Sequence, residues 1–456
     1  MADFFAQRCN IDYQFHALAE MLEKPELSPS MPTSLLAEHL YHWLQGDAHV
    51  LERVLENITA PPHRSAVASM SPSEALPPQL AQTEQTQFYY GNEGKRESTR
   101  QIIQLVNSLD ISSASSIYFI SDVNLEWLFE DYQFMNHFST ALASIFQKGF
   151  SLCHIMPSLN FMNRYVESLR YWLPIYASGQ TTVYYYPRLR DNLYRRSLII
   201  VPGVCAQVTT SIGDETDLIT VNSTDPTLVS AYVKQFQQEL ALCRPALTSH
   251  QNCFEFNACL QELLTNNSHV IHKALKPSPY TLPTEWLDVF IEQSTEPAWK
   301  ENLQRHRDNA ALFEEKLKHY RFIELCPLEN PEDIRAGKVL FGLGFKTAED
   351  HPAYTPESYA AHLTHILELM DKYENYHFIP VRPSERQDYN LFTSESGLTL
   401  LLSNFYPPFM LEIRRPELSQ ACHEYLMRMA DLVGYTGMKR TKIRLQIKEL
   451  IQELKK

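Results

Sequence analysis

The side chains best suited to chemistry crowd together between Tyr184 and Arg196, in the string YYYPRLRDNLYRR. Arg188, Arg190, Arg195 and Arg196 supply guanidinium forks that match carboxylate and phosphate oxygens in pairs. Tyr184 and Tyr186 supply ring faces for stacking or for cation contacts. So many cations are costly to bury without partners, so the run is read as a candidate site for an anionic small molecule. The competing reading places the tyrosines in a sheet core and pairs the arginines with acidic residues elsewhere.

Other constellations offer less. His362 and His365 (HLTH) lie three apart, one face of a helix, but no Glu follows in an H-E-x-x-H pattern and no cysteine is marked out as a partner. The adjacent pairs Glu130-Asp131 and Glu314-Glu315 point in different directions on a helix and suit a solvated face. The string Phe341-Gly342-Leu343-Gly344 lacks the third glycine and the basic reader of a phosphate loop. No G-x-S-x-G elbow and no CxxC pair occurs. The chain is therefore read as binding rather than catalysing, with neither metal nor cofactor implied.

Composition sets the frame for these residues. A chain of 456 residues exceeds what one core holds and predicts two or three domains. Hydrophobic residues at 44% and only 13 glycines give ample material to bury. A formal net charge of −14 argues against a surface devoted as a whole to nucleic-acid backbones. The exception is the tail Lys439–Lys456, KRTKIRLQIKELIQELKK, at net +5. Scattered cysteines and the lack of a leader or a bilayer-length apolar run predict a cytoplasmic protein with no membrane partner.

Periodicity then orders the chain. Residues 1–60 read as a small helical domain and 61–85, rich in Pro, Ser and Gln, as a flexible linker. Residues 86–245 read as an α/β unit, with strands at 115–121, 150–156, 181–186, 198–201, 204–210 and 218–221 and a helix opened by Asp225-Pro226. Residues 246–354 read as a mainly helical connector. Residues 355–435 read as a second α/β unit, with strands at 376–380, 389–394, 398–403 and 409–413 before a helix at Pro416. Three strands followed by a proline-opened helix occur in both units, so the halves are read as divergent copies of one fold. Residues 436–456 form a basic amphipathic helix whose stripe Ile443, Ile447, Leu450, Ile451 and Leu454 predicts docking or dimerisation, hence a homo-oligomer.

The phrases FYYGNEGKRESTRQII, YFISDVNLEWLFED, YWLPIYASGQTTVYYYPRLRDNLYRRSLIIVPGVCAQVTTSIGD, LALCRPAL and KYENYHFIPV resemble a family of bacterial transcriptional regulators found among Firmicutes. Its members carry an N-terminal helix-turn-helix and a phospholipase D-like sensor region. The resemblance covers about residues 86–435 and implies an α/β (α+β) fold of two phospholipase D-like units, a transcription-regulating function and DNA as a partner. Two departures qualify it. The catalytic H-x-K-x4-D motif of phospholipase D enzymes is missing, since no H-x-K occurs in the chain, which implies a non-enzymatic, ligand-sensing descendant. Residues 1–58 offer only Arg8, Lys24 and Arg53 as basic side chains, which implies a degenerate or incomplete DNA-binding module. The alternative is a protein-interaction or scaffold module, dimeric through the C-terminal helix.

Overall fold

The computed structural model describes residues 31–44, 85–109, 116–123, 126–156, 178–188, 193–213, 217–250, 253–294, 297–341, 352–381, 389–403, 409–432 and 440–456, with isolated positions before residue 20 and at 172, 175 and 176. Residues 61–84, most of the N-terminal helical domain and Arg190 lie outside the described residues. Within that domain, α1 (Thr33–Leu44) packs Leu36 and Leu40 on Ala6 and Phe15.

Two sets of elements follow, each with seven strands. The first runs β1 (Thr86–Tyr90), α2 (Gly91–Ser108), β2 (Ser116–Ser121), α3 (Glu126–Phe129), α4 (Tyr132–Gln147), β3 (Ser151–Met156), β4 (Thr181–Tyr185), β5 (Tyr194–Val201), β6 (Cys205–Ile212), β7 (Ile219–Ser223) and α5 (Pro226–Leu240). The second runs β8 (Arg244–His250), α6 (Cys253–Thr265), β9 (Val270–Lys273), α7 (Thr284–Gln293), α8 (Pro297–Leu317), β10 (Phe322–Pro327), α9 (Pro331–Arg335), α10 (Pro356–Lys372), β11 (Tyr376–Val381), β12 (Tyr389–Ser394), β13 (Thr399–Ser403), β14 (Phe409–Ile413), α11 (Pro416–Leu432) and α12 (Arg440–Leu454).

One 14-stranded sheet holds both, in the order β1-β7-β6-β5-β2-β3-β4-β8-β14-β13-β12-β9-β10-β11. The second seven repeat the first: β8 stands where β1 does, β9-β10-β11 are parallel as β2-β3-β4 are, and β12-β13-β14 form the same antiparallel meander as β5-β6-β7. The two sevens meet where β4 pairs antiparallel with β8, across a register shift at Val183/Tyr184. The chain is thus a mixed α/β protein made of two copies of one strand order.

The segment 246–354, predicted as a mainly helical connector, carries α6 to α9 and also contributes β9, β10 and most of β8 to the sheet, so the second set of strands begins at Arg244. VIHK is only four residues long and FIELCP is buried on both faces, so neither shows the alternation that marks a half-buried strand.

Local chemistry explains the boundaries that were legible. The Asp225 carboxylate accepts from the Leu228 amide, 2.8 Å, ahead of Pro226 in the first turn of α5. Thr355 and Ser358 form a reciprocal cap at the start of α10. Gly149 closes α4 with a φ of 94°, and Gly203 turns the β5–β6 hairpin with a φ of 75°, where a Cβ would be strained.

The C-terminal stripe is satisfied within the chain. Ile443, Ile447, Ile451 and Leu454 are buried in the same cluster as Leu363, Ile366 and Met370 of α10. Arg440 donates to the carbonyls of Met370, Tyr373 and Glu374, the C-terminal end of α10, and Arg444 pairs with Asp371. The stripe therefore docks on its own chain, and its apolar residues are no longer available as a seam between two copies.

Candidate binding chamber of the first unit

Strand parity sorts the arginine and tyrosine run. Alternate residues of β5 face opposite sides of the sheet, so Arg195, Ser197 and Ile199 face α2 while Arg196, Leu198 and Ile200 face α5. Arg196 pairs there with Glu239, 2.5 Å, on the far side from Arg195. Tyr184 packs with the α5 cluster, Tyr186 is half-buried beyond the end of β4, and Arg188 is exposed. The six residues expected to form one site are therefore divided, and of the five described only Arg195, 5% exposed, enters the polar interior. The correction has a simple cause: adjacent residues on a strand point apart.

The face that Arg195 shares is unusually polar for a core. Register sets Ser121, Ser197, Thr209 and Thr220 side by side across β2, β5, β6 and β7, sets Arg195 beside Ser211, and sets Gln207 beside Asn222. Helix α2 covers this face with Lys95, Ser98 and Thr99, one helical turn apart, followed by Ile102 and Val106 on the same stripe. Ser98 donates to Asn222, 2.6 Å, and the Gln207 amide donates to Ser98 and Thr99 at 2.6 and 3.2 Å. These bonds fasten α2 to the meander.

Among the described residues, several groups at this face have no hydrogen-bond partner. They are the Lys95 ammonium, the Ser121, Ser197 and Ser211 hydroxyls, the Trp127 indole N–H and the Gln207 carbonyl oxygen. Lys95 is 0% exposed and sits 4.5 Å from the centre of the Trp127 ring. Trp127 in turn is held by Arg96, whose Nη1 donates to its carbonyl at 2.9 Å while Nε pairs with Glu93. Burial holds the Lys95 amine well below its usual pKa, because it strips the ammonium of its solvation. Leaving buried polar atoms unpaired costs roughly 1–3 kcal/mol each, so this concentration is a reservoir that a bound group would relieve.

The unpaired set is rich in donors. A lysine, an indole N–H and three hydroxyls suit an anion with several oxygens, and Arg195 lies opposite Ser211 on the neighbouring strand. An apolar cavity lined by Thr99, Phe138, Trp172 and Ile199, among others, adjoins it beneath α2 and α4. That pairing of a polar end with an apolar slot is how small-molecule sites are commonly built.

The signal that would have found Lys95 was present in the sequence. It falls in line with Ile102 and Val106, a cation on the stripe that must be buried. Gln207, Thr209 and Ser211 alternate on the inward side of β6 in the same way. The histidine pair is structural: His362 is fully buried, with Thr281 on one ring nitrogen at 2.9 Å and Tyr354 on the other at 2.8 Å, and His365 bonds the Thr281 carbonyl. Among the described residues no helix is long and apolar enough to cross a membrane.

Comparison with family models and with curated proteins finds no match. Among solved structures the chain is similar to NucT from Helicobacter pylori, at 11% identity and a TM-score of 0.26, over 35% of this chain and 98% of that one. It is similar also to Nuc from Salmonella typhimurium, a phospholipase D family member, at 12% identity and a TM-score of 0.24, over 35% and 96%. TrmBL2, an archaeal chromatin protein, matches at 12% identity and a TM-score of 0.25, over 51% of this chain and 81% of that one.

Proposed function

We propose that the chain is a non-enzymatic regulator of phospholipase D-like build whose first unit senses an anionic small molecule. The observation that carries this is the buried, unpaired Lys95 amine, on the helix that covers the sheet face bearing the unpaired Ser197 and Ser211 hydroxyls. A structural core gains nothing from such a residue, whereas a binding site gains an amine already held in place that a bound anion recharges. Binding rather than turnover is supported by the missing H-x-K motif, which leaves the chamber without the phosphodiesterase nucleophile. The ligand class that fits is a phosphorylated or carboxylated metabolite, its charge at Lys95 and Arg195 and its body in the apolar slot. Transcription is the process this sensing serves, as the family resemblance implies, with a DNA-binding module that is degenerate or incomplete in this chain.

The reading is tested by thermal unfolding of the full chain in rising inorganic phosphate and then phosphorylated small molecules. Saturable stabilisation is expected, about 2.7 kcal/mol at a hundredfold excess over the dissociation constant. Equal stabilisation of wild type and Ser197→Val would show the effect to be general salt action and would end the proposal.

A further inference from the structure

A second cluster of chemically able side chains lies in the other unit, away from the chamber. It is built where β8, the strand that joins the two sevens, pairs with β14. His250 is the last residue of β8, Glu412 lies diagonally across on β14, and Cys259 comes from the following helix, α6. The three are separated by up to 162 residues in sequence, and their donor atoms lie within 4.8 Å of one another.

Their geometry is specific. His250 Nε2 is 2.8 Å from Glu412 Oε2, Cys259 Sγ is 3.3 Å from the same oxygen, and Sγ is 3.5 Å from Nε2. A point at the middle of this triangle is roughly 2 Å from each donor, which is the bond length that zinc takes to nitrogen and carboxylate oxygen and slightly under that to thiolate. We propose that His250, Cys259 and Glu412 form a site for a divalent zinc-class cation, with a water completing the four ligands.

An outer shell of the kind such sites require is also present. His250 Nδ1 is bonded to Glu255 Oε2 at 3.2 Å, which fixes the ring and directs Nε2 inward. The second oxygen of Glu412 accepts from Arg414, and Arg414 is itself held by both oxygens of Glu262. Glu255, Cys259 and Glu262 lie on one face of α6 at helical spacing, so a single helix supplies one ligand and the supports of the other two. Nitrogen, thiolate and carboxylate donors together favour zinc over magnesium or calcium, which prefer oxygen throughout. A metal here would tie β8, β14 and α6 together next to the junction of the two units. This does not depend on the chamber around Lys95.

The test uses the full chain, stripped with a chelator and titrated with cobalt(II), then with zinc in competition. One cobalt per chain is expected, with the near-ultraviolet charge-transfer band of a thiolate ligand and visible bands of tetrahedral intensity. Cys259→Ser should abolish the thiolate band, and His250→Gln and Glu412→Gln should each weaken binding by about 10- to 100-fold. Far-UV circular dichroism of the metal-free variants confirms that they are folded. Glu255→Gln gives a second reading, a smaller loss of affinity with the thiolate band retained. Absence of the band in wild type, or its persistence in Cys259→Ser, would overturn the proposal.

Discussion

Replacing Lys95 with methionine is expected to make the protein more stable and to abolish its response to anions. The amine is fully buried and has no hydrogen-bond acceptor, and the Trp127 ring 4.5 Å away is its closest compensation. A cation–π contact of this kind returns only about 1–2 kcal/mol, less than the cost of desolvating an ammonium. Methionine has a similar length and no charge to desolvate, so a gain of about 1–4 kcal/mol in unfolding free energy is expected from urea titration. Binding should move the other way. Loss of the central cation should remove phosphate-induced stabilisation altogether, a trade of function against stability that a purely structural lysine would not show. Destabilisation of Lys95→Met with the phosphate response intact would contradict the assignment.

Acid should unfold the protein in a window set by three buried histidines. Burial first, and then the charge of Arg415, brings His154 down to about 3, and burial, followed by His365, brings His362 to about 3. His272 is depressed in the same sense by burial and by Lys273. In the unfolded chain these rings protonate near their ordinary value of about 6.5, so as pH falls below it the unfolded state takes up protons that the folded state refuses. Stability is therefore complete above that value and falls towards pH 3, each ring contributing a slope approaching about 1.4 kcal/mol per pH unit. Glu324 and Glu329, raised by burial, act in the opposite sense above the ordinary carboxylate range. The steepest loss is thus expected below about pH 4.3, where those carboxyls are protonated in both states. Urea titrations from pH 8 to pH 3 measure it, and His154→Gln should flatten the curve by one histidine. A stability independent of pH between about 4.3 and 3 would show that these rings are not held neutral.

How much of this was legible follows from the range of each signal. The meanders were readable because their strands alternate and their helices open on Asp225-Pro226 and Arg415-Pro416, cues that lie within a few residues. The repeat of a three-strand meander followed by a proline-opened helix was readable for the same reason. Strands β8, β9 and β10 were not, since RPALTSH mixes exposed and buried positions irregularly and the other two are buried on both faces. The site residues show the same limit more sharply. The density of arginine at 188–196 was visible, but whether Arg195 or Arg196 faced the interior depended on strand register. Lys95 became meaningful only when β5, β6 and β7 were laid against α2, and His250 met Glu412 only through the pairing of β8 with β14. Local pattern gives elements; long-range pairing gives sites.

The most direct test of the chamber is whether anion binding takes up a proton at Lys95. Inorganic sulfate, which does not itself titrate near neutral pH, is bound to the full chain by calorimetry between pH 6 and 10, in buffers of different ionisation enthalpy. Burial depresses the amine in the free protein, and a bound anion should restore its charge and raise its pKa. Affinity should therefore fall as pH rises, and the buffer-dependent heat should report uptake approaching one proton per sulfate between the depressed and the restored pKa. Sulfate affinity that is independent of pH, with heats the same in every buffer and unchanged in Lys95→Met, would contradict the assignment of the chamber as the anion site.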